Sequence, residues 1–204
     1  MLVTGIKSKP VYAPLRADTG GRYHLLLGFG QGGEPLLRIL DELRLGKPRS
    51  LAQTRIFYTP GRDGGASAPE TFGASGAAET RFFDSSGLLL QEFRSTLERS
   101  LMGTRLYVAG PESFIGLAMK IALEFNLNED EIRAQECGTL ARRVRCVHCR
   151  ETTEDVRTNI VRCVGCDRWL LVRDHYSRRL AAYMGVMVDA EAPGELPQIR
   201  EVFL

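Results

Sequence analysis

Four cysteines in two closely spaced pairs are the strongest chemical signal in the 204-residue sequence. Cys146 and Cys149 enclose Val-His, Cys163 and Cys166 enclose Val-Gly, and the thirteen residues 150–162 separate the pairs. Two Cys-x-x-Cys turns that a β-hairpin brings together place four thiolates in a tetrahedral array, which matches Zn²⁺ at about 2.3 Å per metal–sulfur bond. We therefore predict a metal centre whose ligands are these four cysteines.

Zinc is the expected metal, and a mononuclear iron centre of the rubredoxin kind is the alternative, since tetrahedral sulfur sites hold either. Rubredoxin-like sites usually carry glycine after each cysteine pair and a longer segment between the pairs. Arg150 and Asp167 stand at those positions here, and the segment is short. Zinc would only hold the fold, whereas iron would carry one electron. His148 lies inside the first pair, but four cysteines already complete the shell, so we expect it to be exposed and unligated.

The segment around the cysteines is rich in arginine. From Gly138 to Arg179 there are ten arginines, no lysine and five acids, so this segment is net +5 and the rest of the chain is −3. Such a surface fits an acidic protein partner, or a solvated face that offsets a tetrathiolate centre. Aromatic residues interleave poorly with these arginines, which argues against nucleic acid. The candidates for partner contacts are Arg142, Arg143, Arg178 and Arg179.

Composition limits the class of protein. The hydrophobic fraction of 44% and charged fraction of 25% are those of a globular chain, not a disordered or fibrous one. No apolar stretch reaches the roughly 20 residues that span a bilayer, and the N-terminus lacks the apolar core of a secretory signal. We expect a cytoplasmic protein with reduced thiols, which is why the paired cysteines indicate a metal before disulfides. No combination of nucleophile and base indicates a catalytic residue.

Alternating strand and helix patterns precede the cysteines and predict an α/β domain with a parallel sheet flanked by helices. A helix follows the glycine cluster at Pro35, and residues 61–80 read as a loose loop. The predicted strands are Tyr23–Leu27, Arg55–Tyr58, Arg81–Phe83, Arg105–Val108 and Ile132–Glu136, and further helices are Leu88–Leu101 and Glu112–Phe125. We expect three segments: the α/β domain at 1–138, the cysteine knuckle at 139–175, and a C-terminal helix with an extended tail at 176–204.

Two glycine turns follow strands of this domain. Glycines there let backbone N–H groups approach a pyrophosphate at a helix N-terminus. The first turn contains Gly30, Gly32 and Gly33, and the second contains Gly110 and Pro111. Both would lie at the carboxyl ends of adjacent strands, where parallel sheets bind nucleotides.

These turns resemble those of the NAD(P)-binding domain of ferredoxin reductase-type flavoenzymes. Residues 29–35 align with that family's Gly-Gly-x-Gly-x-Thr-Pro turn, and residues 109–111 with its Cys-Gly-Pro turn. Two departures matter: Glu34 replaces a threonine that helps hold the nucleotide, and Ala109 replaces the cysteine that faces the nicotinamide. A carboxylate repels phosphate. We therefore interpret the domain as an altered nucleotide site used as a docking scaffold, with NAD(P) binding as the alternative.

A second resemblance covers nearly the whole chain. The stretches LYVAGPESFIGLAMKIALEFNL, ECGTLARRVRCVHC and DHYSRRLAAYMGVMVDAEAPG are similar to the small subunit of bacterial dimethylamine monooxygenase. The resemblance implies an NADPH- and O2-dependent enzyme that demethylates dimethylamine to methylamine and formaldehyde. It also implies partner subunits, a flavin and iron–sulfur reductase and a haem-bearing oxygenase. This chain would then be a docking or electron-relay subunit without catalysis of its own. The alternatives are a free-standing NAD(P)-binding redox protein and a zinc-ribbon nucleic-acid-binding module.

Overall fold

The computed structural model describes residues 8–46, 48–61 and 68–204. They divide into two compact units. The first, called here the α/β unit, is Tyr12–Gly138, and the second, called the cysteine unit, is Thr139–Leu204 with the described part of Met1–Val11. No helix within the described ranges is long and apolar enough to cross a membrane.

The α/β unit is built on a parallel sheet of five strands, β1 to β5 in chain order, with spatial order β3-β2-β1-β4-β5. The predicted α/β class with a parallel sheet is confirmed. The strands are β1 Tyr23–Phe29, β2 Thr54–Thr59, β3 Glu79–Phe82, β4 Thr104–Gly110 and β5 Ile132–Glu136. The helices are α1 Gly33–Gly46, α2 Ala68–Gly73, α3 Ser86–Leu97 and α4 Glu112–Glu124.

The central strands of this sheet are buried on both faces, as the near-continuous apolar runs require. In β1, Leu25 and Leu27 pack on one face with α3 and α4, whereas Leu26 packs on the other with α1 and α2. Helix α1 forms because its buried residues recur at helical spacing and Pro35 fits its first turn. The fold therefore holds the ends of β1, β2 and β4 rigidly side by side.

The predicted loose loop at 61–80 is wrong in its second half. Residues 68–73 form α2, and β3 already begins at Glu79. The cause is Phe72, which is completely buried and packs edge-on against Tyr58 with ring centroids 5.2 Å apart. Residues 62–67 of that prediction lie outside the described residues.

The cysteine unit contains a second five-stranded sheet with order β7-β6-β10-β9-β8. Its strands are β6 Arg142–Cys146, β7 Thr152–Val156, β8 Ile160–Arg162, β9 Trp169–Ser177 and β10 Ala182–Met187. Pairing is antiparallel except between β10 and β6, which run parallel.

The predicted C-terminal helix from residue 176 is therefore wrong. β9 continues through Ser177, so the expected boundary at 175 falls inside a strand, and β10 occupies Ala182–Met187. Gly185 explains the outcome, because a Cβ there would lie 2.7 Å from a methyl of Val144 and 3.0 Å from one of Leu170. β10 fits between its two neighbouring strands only with glycine at that point.

The tail after β10 returns to its own unit. Glu201 forms a β-bridge with Thr158, and the N–H groups of Val202 and Phe203 donate to the Arg157 carbonyl. The last residues therefore run along the cysteine unit as an irregular, extended segment.

Candidate functional site

The two cysteine pairs occupy equivalent turns. The first lies between β6 and β7 and the second between β8 and β9. Each turn has the same pair of backbone hydrogen bonds. The N–H of the first cysteine donates to the carbonyl five residues later, at 2.9 Å, and the N–H of the residue after the second cysteine donates to the carbonyl of the first cysteine, at 3.0–3.1 Å. Two hairpins, not one, therefore present the sulfur atoms.

The four sulfur atoms converge on one point. All Sγ atoms lie within 4.8 Å of one another. Those of Cys146 and Cys166 are 3.7 Å apart, and those of Cys149 and Cys163 are 3.4 Å apart. A regular tetrahedron with bonds of about 2.3 Å has edges of about 3.8 Å, so the spacing fits a four-coordinate zinc or iron ion. Among the described residues, these cysteines are the one group of ligand-type side chains gathered this closely.

Two of the four thiols have pKa values that are shifted in opposite directions. Hydrogen bonds from the backbone N–H and then the guanidinium of Arg168 lower the pKa of Cys166 to about 6. A backbone hydrogen bond from Glu151 lowers the pKa of Cys149, but burial and hydrogen bonds with the other three thiols raise it to about 12. Four sulfur atoms this close cannot all lose their protons unless a cation compensates them. A bound divalent metal supplies that charge.

Gly165 is a site residue that the spacing argument missed. A Cβ at this position would lie 2.5 Å from Cγ of Glu151 and 3.2 Å from Sγ of Cys149. The second turn can therefore approach the first only with glycine there. The signal was present in the sequence as the difference between Val-His in one pair and Val-Gly in the other.

The histidines do not join the metal group. His148 is exposed in the first turn, and the close group consists of the four cysteines without any histidine. His24 belongs to β1 of the α/β unit, where its Nδ1 lies 3.3 Å from the Tyr107 hydroxyl.

Two of the arginines predicted to contact a partner have roles inside the cysteine unit. The guanidinium of Arg142 lies between the rings of Tyr183 and Phe203, 4.0 Å and 3.8 Å from their centroids, and pairs with Asp174 at 2.7 Å. Arg143 pairs with Glu154 at 2.8 Å. Burial beside aromatic rings, which the charge count could not foresee, uses the Arg142 cation for packing.

Arg143 also donates to the Ala181 carbonyl at 2.9 Å, in the turn between β9 and β10. Arg178 and Arg179, in contrast, remain exposed in that turn.

The glycine turns lie where the sequence predicted, at the carboxyl ends of β1 and β4. The first turn approaches β4 so closely that a Cβ on Gly32 would lie 2.0 Å from the Ala109 carbonyl oxygen and 3.0 Å from the Gly110 nitrogen. Gly30 has φ +56°, and Pro111 stands as the N-cap of α4. Gly33 begins α1 with its N–H directed at the carbonyls of Gly30 and Gln31.

The crevice between these turns also holds a tyrosine and carboxylates. The Tyr58 hydroxyl is fully buried and donates to the Gly30 carbonyl at 2.6 Å. Burial first, and then the charges of Cys137 and Glu34, raise the pKa of Tyr58. Glu34 and Glu112 lie in the first turns of α1 and α4. Both helix N-termini that would receive phosphate therefore carry a carboxylate.

Comparison with known families identifies the chain. The N-terminal domain model of the family "Dimethylamine monooxygenase subunit DmmA-like" matches residues 4–132, more than half of the chain, and the C-terminal domain model matches residues 143–186. The chain therefore belongs to this family, and the predicted resemblance is confirmed.

One relative is the "Heme-dependent oxidative N-demethylase delta subunit" of Ectopseudomonas mendocina (strain ymp). It is 35% identical over 99 residues, which cover 48% of this chain and 57% of that subunit. The match thus spans just over half of the relative's length.

Solved structures with a similar fold include redox proteins. A ferredoxin reductase of carbazole 1,9a-dioxygenase has a TM-score of 0.43 and 18% identity, over 59% of this chain and 34% of that one. An intact type IV self-sufficient cytochrome P450 monooxygenase has a TM-score of 0.48 and 15% identity, over 68% of this chain and 19% of that one.

Proposed function

We propose that this chain is an accessory subunit of an NADPH- and O2-dependent monooxygenase that demethylates dimethylamine to methylamine and formaldehyde. Membership of the family and the relative named as an oxidative N-demethylase subunit support this assignment. In this proposal the reductase subunit carries flavin and an iron–sulfur cluster, and the oxygenase subunit carries haem. The α/β unit docks one of these partners.

The observation that carries the accessory role is the tight packing of the first glycine turn on β4, with a carboxylate in the first turn of each flanking helix. A dinucleotide would have to place its pyrophosphate against the first turn, where the backbone already touches β4 and Gly30 is engaged by Tyr58. Glu34 and Glu112 add like charge. These features oppose NADPH binding by this chain and support a role exercised through a partner.

Calorimetric titration of the full chain with NADPH and NADH tests this role. We expect no heat of binding for the wild type. We also expect none for Glu34→Thr, which removes one carboxylate but leaves the backbone contact between Gly32 and Ala109. Micromolar binding by the wild type would overturn this argument, and binding by Glu34→Thr alone would show that charge, not the backbone, excludes the nucleotide.

For the metal centre we propose zinc, held by Cys146, Cys149, Cys163 and Cys166. Four protein thiolates leave no open coordination position, so zinc would join the two hairpins, and the iron alternative would store one electron. Elemental analysis with an absorption spectrum of the purified chain tests the assignment. We expect one zinc per chain and no visible bands, whereas one iron with visible charge-transfer bands would make this subunit an electron carrier.

The complex itself is tested by tagging the chain in its native host and identifying co-purifying subunits by mass spectrometry. We expect stoichiometric recovery of a flavin- and iron–sulfur-bearing chain and a haem-bearing chain, with amine-dependent formaldehyde release by the assembly. Recovery of nucleic acid in place of protein subunits would support the nucleic-acid alternative instead.

A further inference from the structure

A second concave feature of the α/β unit lies at the amino ends of β1, β2 and β4, opposite the glycine turns. It is a cleft of about 200 Å³. Leu25, Thr96 and Thr104 line it and are buried, at 3%, 3% and 7% exposure. The inner part of the cleft is therefore sheet and helix, with the buried His24 ring beside one apolar and two hydroxyl-bearing side chains.

Three arginines surround this cleft. Arg55 and Arg99 line it, and Arg22 covers the ring of Tyr23, which also lines it, at 5.5 Å. Arg55, whose side chain is half exposed, forms an ion pair with Glu79 at 3.4 Å. Within the described ranges, neither Arg22 nor Arg99 forms an ion pair with an acidic residue. A cation just after α3 is stabilised by the dipole of that helix, so Arg99 alone would not indicate a binding site.

The positive rim contrasts with the unit that carries it. Residues 12–138 contain 14 basic and 16 acidic side chains, a net charge of −2. In the part of the chain that the structure describes, only one of the three arginines around the cleft is paired with a carboxylate. They therefore concentrate positive potential at this cleft, although the unit as a whole is negative. Such a local field favours approach of a negatively charged group.

Two large apolar side chains stand beside the same rim. Leu101, which lines the cleft, is 60% exposed, and Met102 next to it is 96% exposed. Their turn is fixed, since Gly103 takes φ +85° and its carbonyl accepts the N–H groups of Arg22 and Tyr23 at 2.9 Å and 3.3 Å. Adjacent apolar side chains held in water by an ordered turn are typical of a protein contact surface.

We propose that this cleft and its rim dock an acidic segment of a partner protein that carries a large apolar side chain. The arginines would pair with its carboxylates, while Leu25, Leu101 and Met102 would bury the apolar group. A purely anionic polymer would leave Leu101 and Met102 in water, so the combination favours a protein segment. The proposal rests on the accessory-subunit function above for the source of the partner, but its test requires no demethylase activity.

Fluorescence anisotropy on the full, metal-loaded chain provides the test. The probes are labelled peptides of equal length that alternate glutamate with leucine, lysine with leucine, or glutamate with serine. We expect the glutamate–leucine peptide to bind best and to weaken as salt rises, because the contacts at the rim are screened. Equal binding of the lysine–leucine or the glutamate–serine peptide would overturn the proposal, as would no binding at all.

Matched variants locate the site. Arg99→Ala and Met102→Ser should each weaken binding of the glutamate–leucine peptide about twofold to fivefold, the size expected for one partly exposed contact. Arg94→Ala, within α3 and paired with Glu124 at 2.6 Å, should leave binding unchanged. An equal loss in Arg94→Ala would contradict the location. Displacement of the peptide by benzoate at equal concentration would assign the cleft to small acids and refute the protein segment.

If the variants change peptide binding as expected but the tagged chain recovers no monooxygenase subunits, the docking site is upheld and the accessory function is refuted. The reverse combination would refute the docking site alone. The two proposals therefore fail separately.

Discussion

Replacement of Cys163 by serine is the sharpest perturbation of the metal centre. Cys163 is 2% exposed, and its sulfur lies 3.4 Å from that of Cys149. A serine oxygen sits closer to its Cβ and is a poorer ligand for zinc than thiolate. The variant therefore keeps the volume of the site nearly intact while it removes one of four metal bonds.

The expected loss is large because the cysteine unit has a small core. Its cluster of buried side chains has eight members, and two of them, Cys146 and Cys163, are proposed metal ligands. Structural zinc sites contribute about 10–16 kcal/mol of apparent binding energy, so one ligand accounts for about 3 kcal/mol, or roughly a hundredfold in zinc affinity. Because metal binding in such sites is largely folding energy, we expect the unit to unfold as zinc leaves.

Trp169 supplies the assay. It is the single tryptophan of the chain and begins β9, three residues after Cys166, so its fluorescence reports on this unit alone. Zinc release to a chromogenic chelator is measured together with this fluorescence. Cys163→Ser should lose its zinc to a chelator whose zinc affinity is roughly a hundredfold lower than the wild type requires. Cys137→Ser, in the α/β unit, is the matched control and should behave as wild type. An unchanged zinc content and an unchanged Trp169 transition in Cys163→Ser would refute the assigned ligand set.

Three further substitutions test packing by urea unfolding. Asp18→Asn should destabilise the α/β unit by about 1 kcal/mol at neutral pH. A guanidinium hydrogen bond lowers the pKa of Asp18 below its ordinary value of 3.8. The stabilisation from this carboxylate is therefore fully present above pH 3.8 and is lost as the pH falls through the lower folded pKa, where the free energies of unfolding of the two proteins should converge. Gly32→Ala should cost at least about 2 kcal/mol because its Cβ meets backbone, whereas Gly73→Ala, with no atom within 4 Å, should be neutral or slightly stabilising. Arg142→Ala should cost about 2 kcal/mol by removing a cation from between two rings, and exposed Arg179→Ala less than about 0.5 kcal/mol.

Local signals predicted the α/β unit well. β1 and α1 could be placed because the apolar run, the glycine turn and Pro35 are all encoded within a few residues. The cysteine spacing predicted for the same reason that the four sulfur atoms would lie together, since each pair forms its own turn. α2 was missed because its one strong determinant, Phe72, gains its burial from Tyr58, a contact that no local pattern contains.

Long-range pairing explains the failed C-terminal helix. Tyr176 to Met187 is rich in residues that favour helices, but β10 is fixed by strands on either side, one of them parallel and about forty residues earlier. Gly185 was the sequence signal against a helix, since glycine is unfavourable within one. In the structure its missing side chain leaves room for Val144 and Leu170. The tight packing of the first glycine turn on β4 was also hidden, because the lack of room for a Cβ on Gly32 depends on how β1 and β4 align, not on the glycines themselves.

The backbone of the two cysteine turns bears on the metal independently of spacing. The lack of glycine after each pair favoured zinc, yet Arg150 and Asp167 adopt φ +66° and +60°, the left-handed conformation that glycine adopts without strain. The residue types therefore discriminate less between zinc and iron than the sequence suggested. In non-glycine residues this conformation costs on the order of 1 kcal/mol each. A metal that bridges the two turns would offset this backbone cost with its binding energy. The conformation of the folded turns therefore favours a metal at the four sulfur atoms.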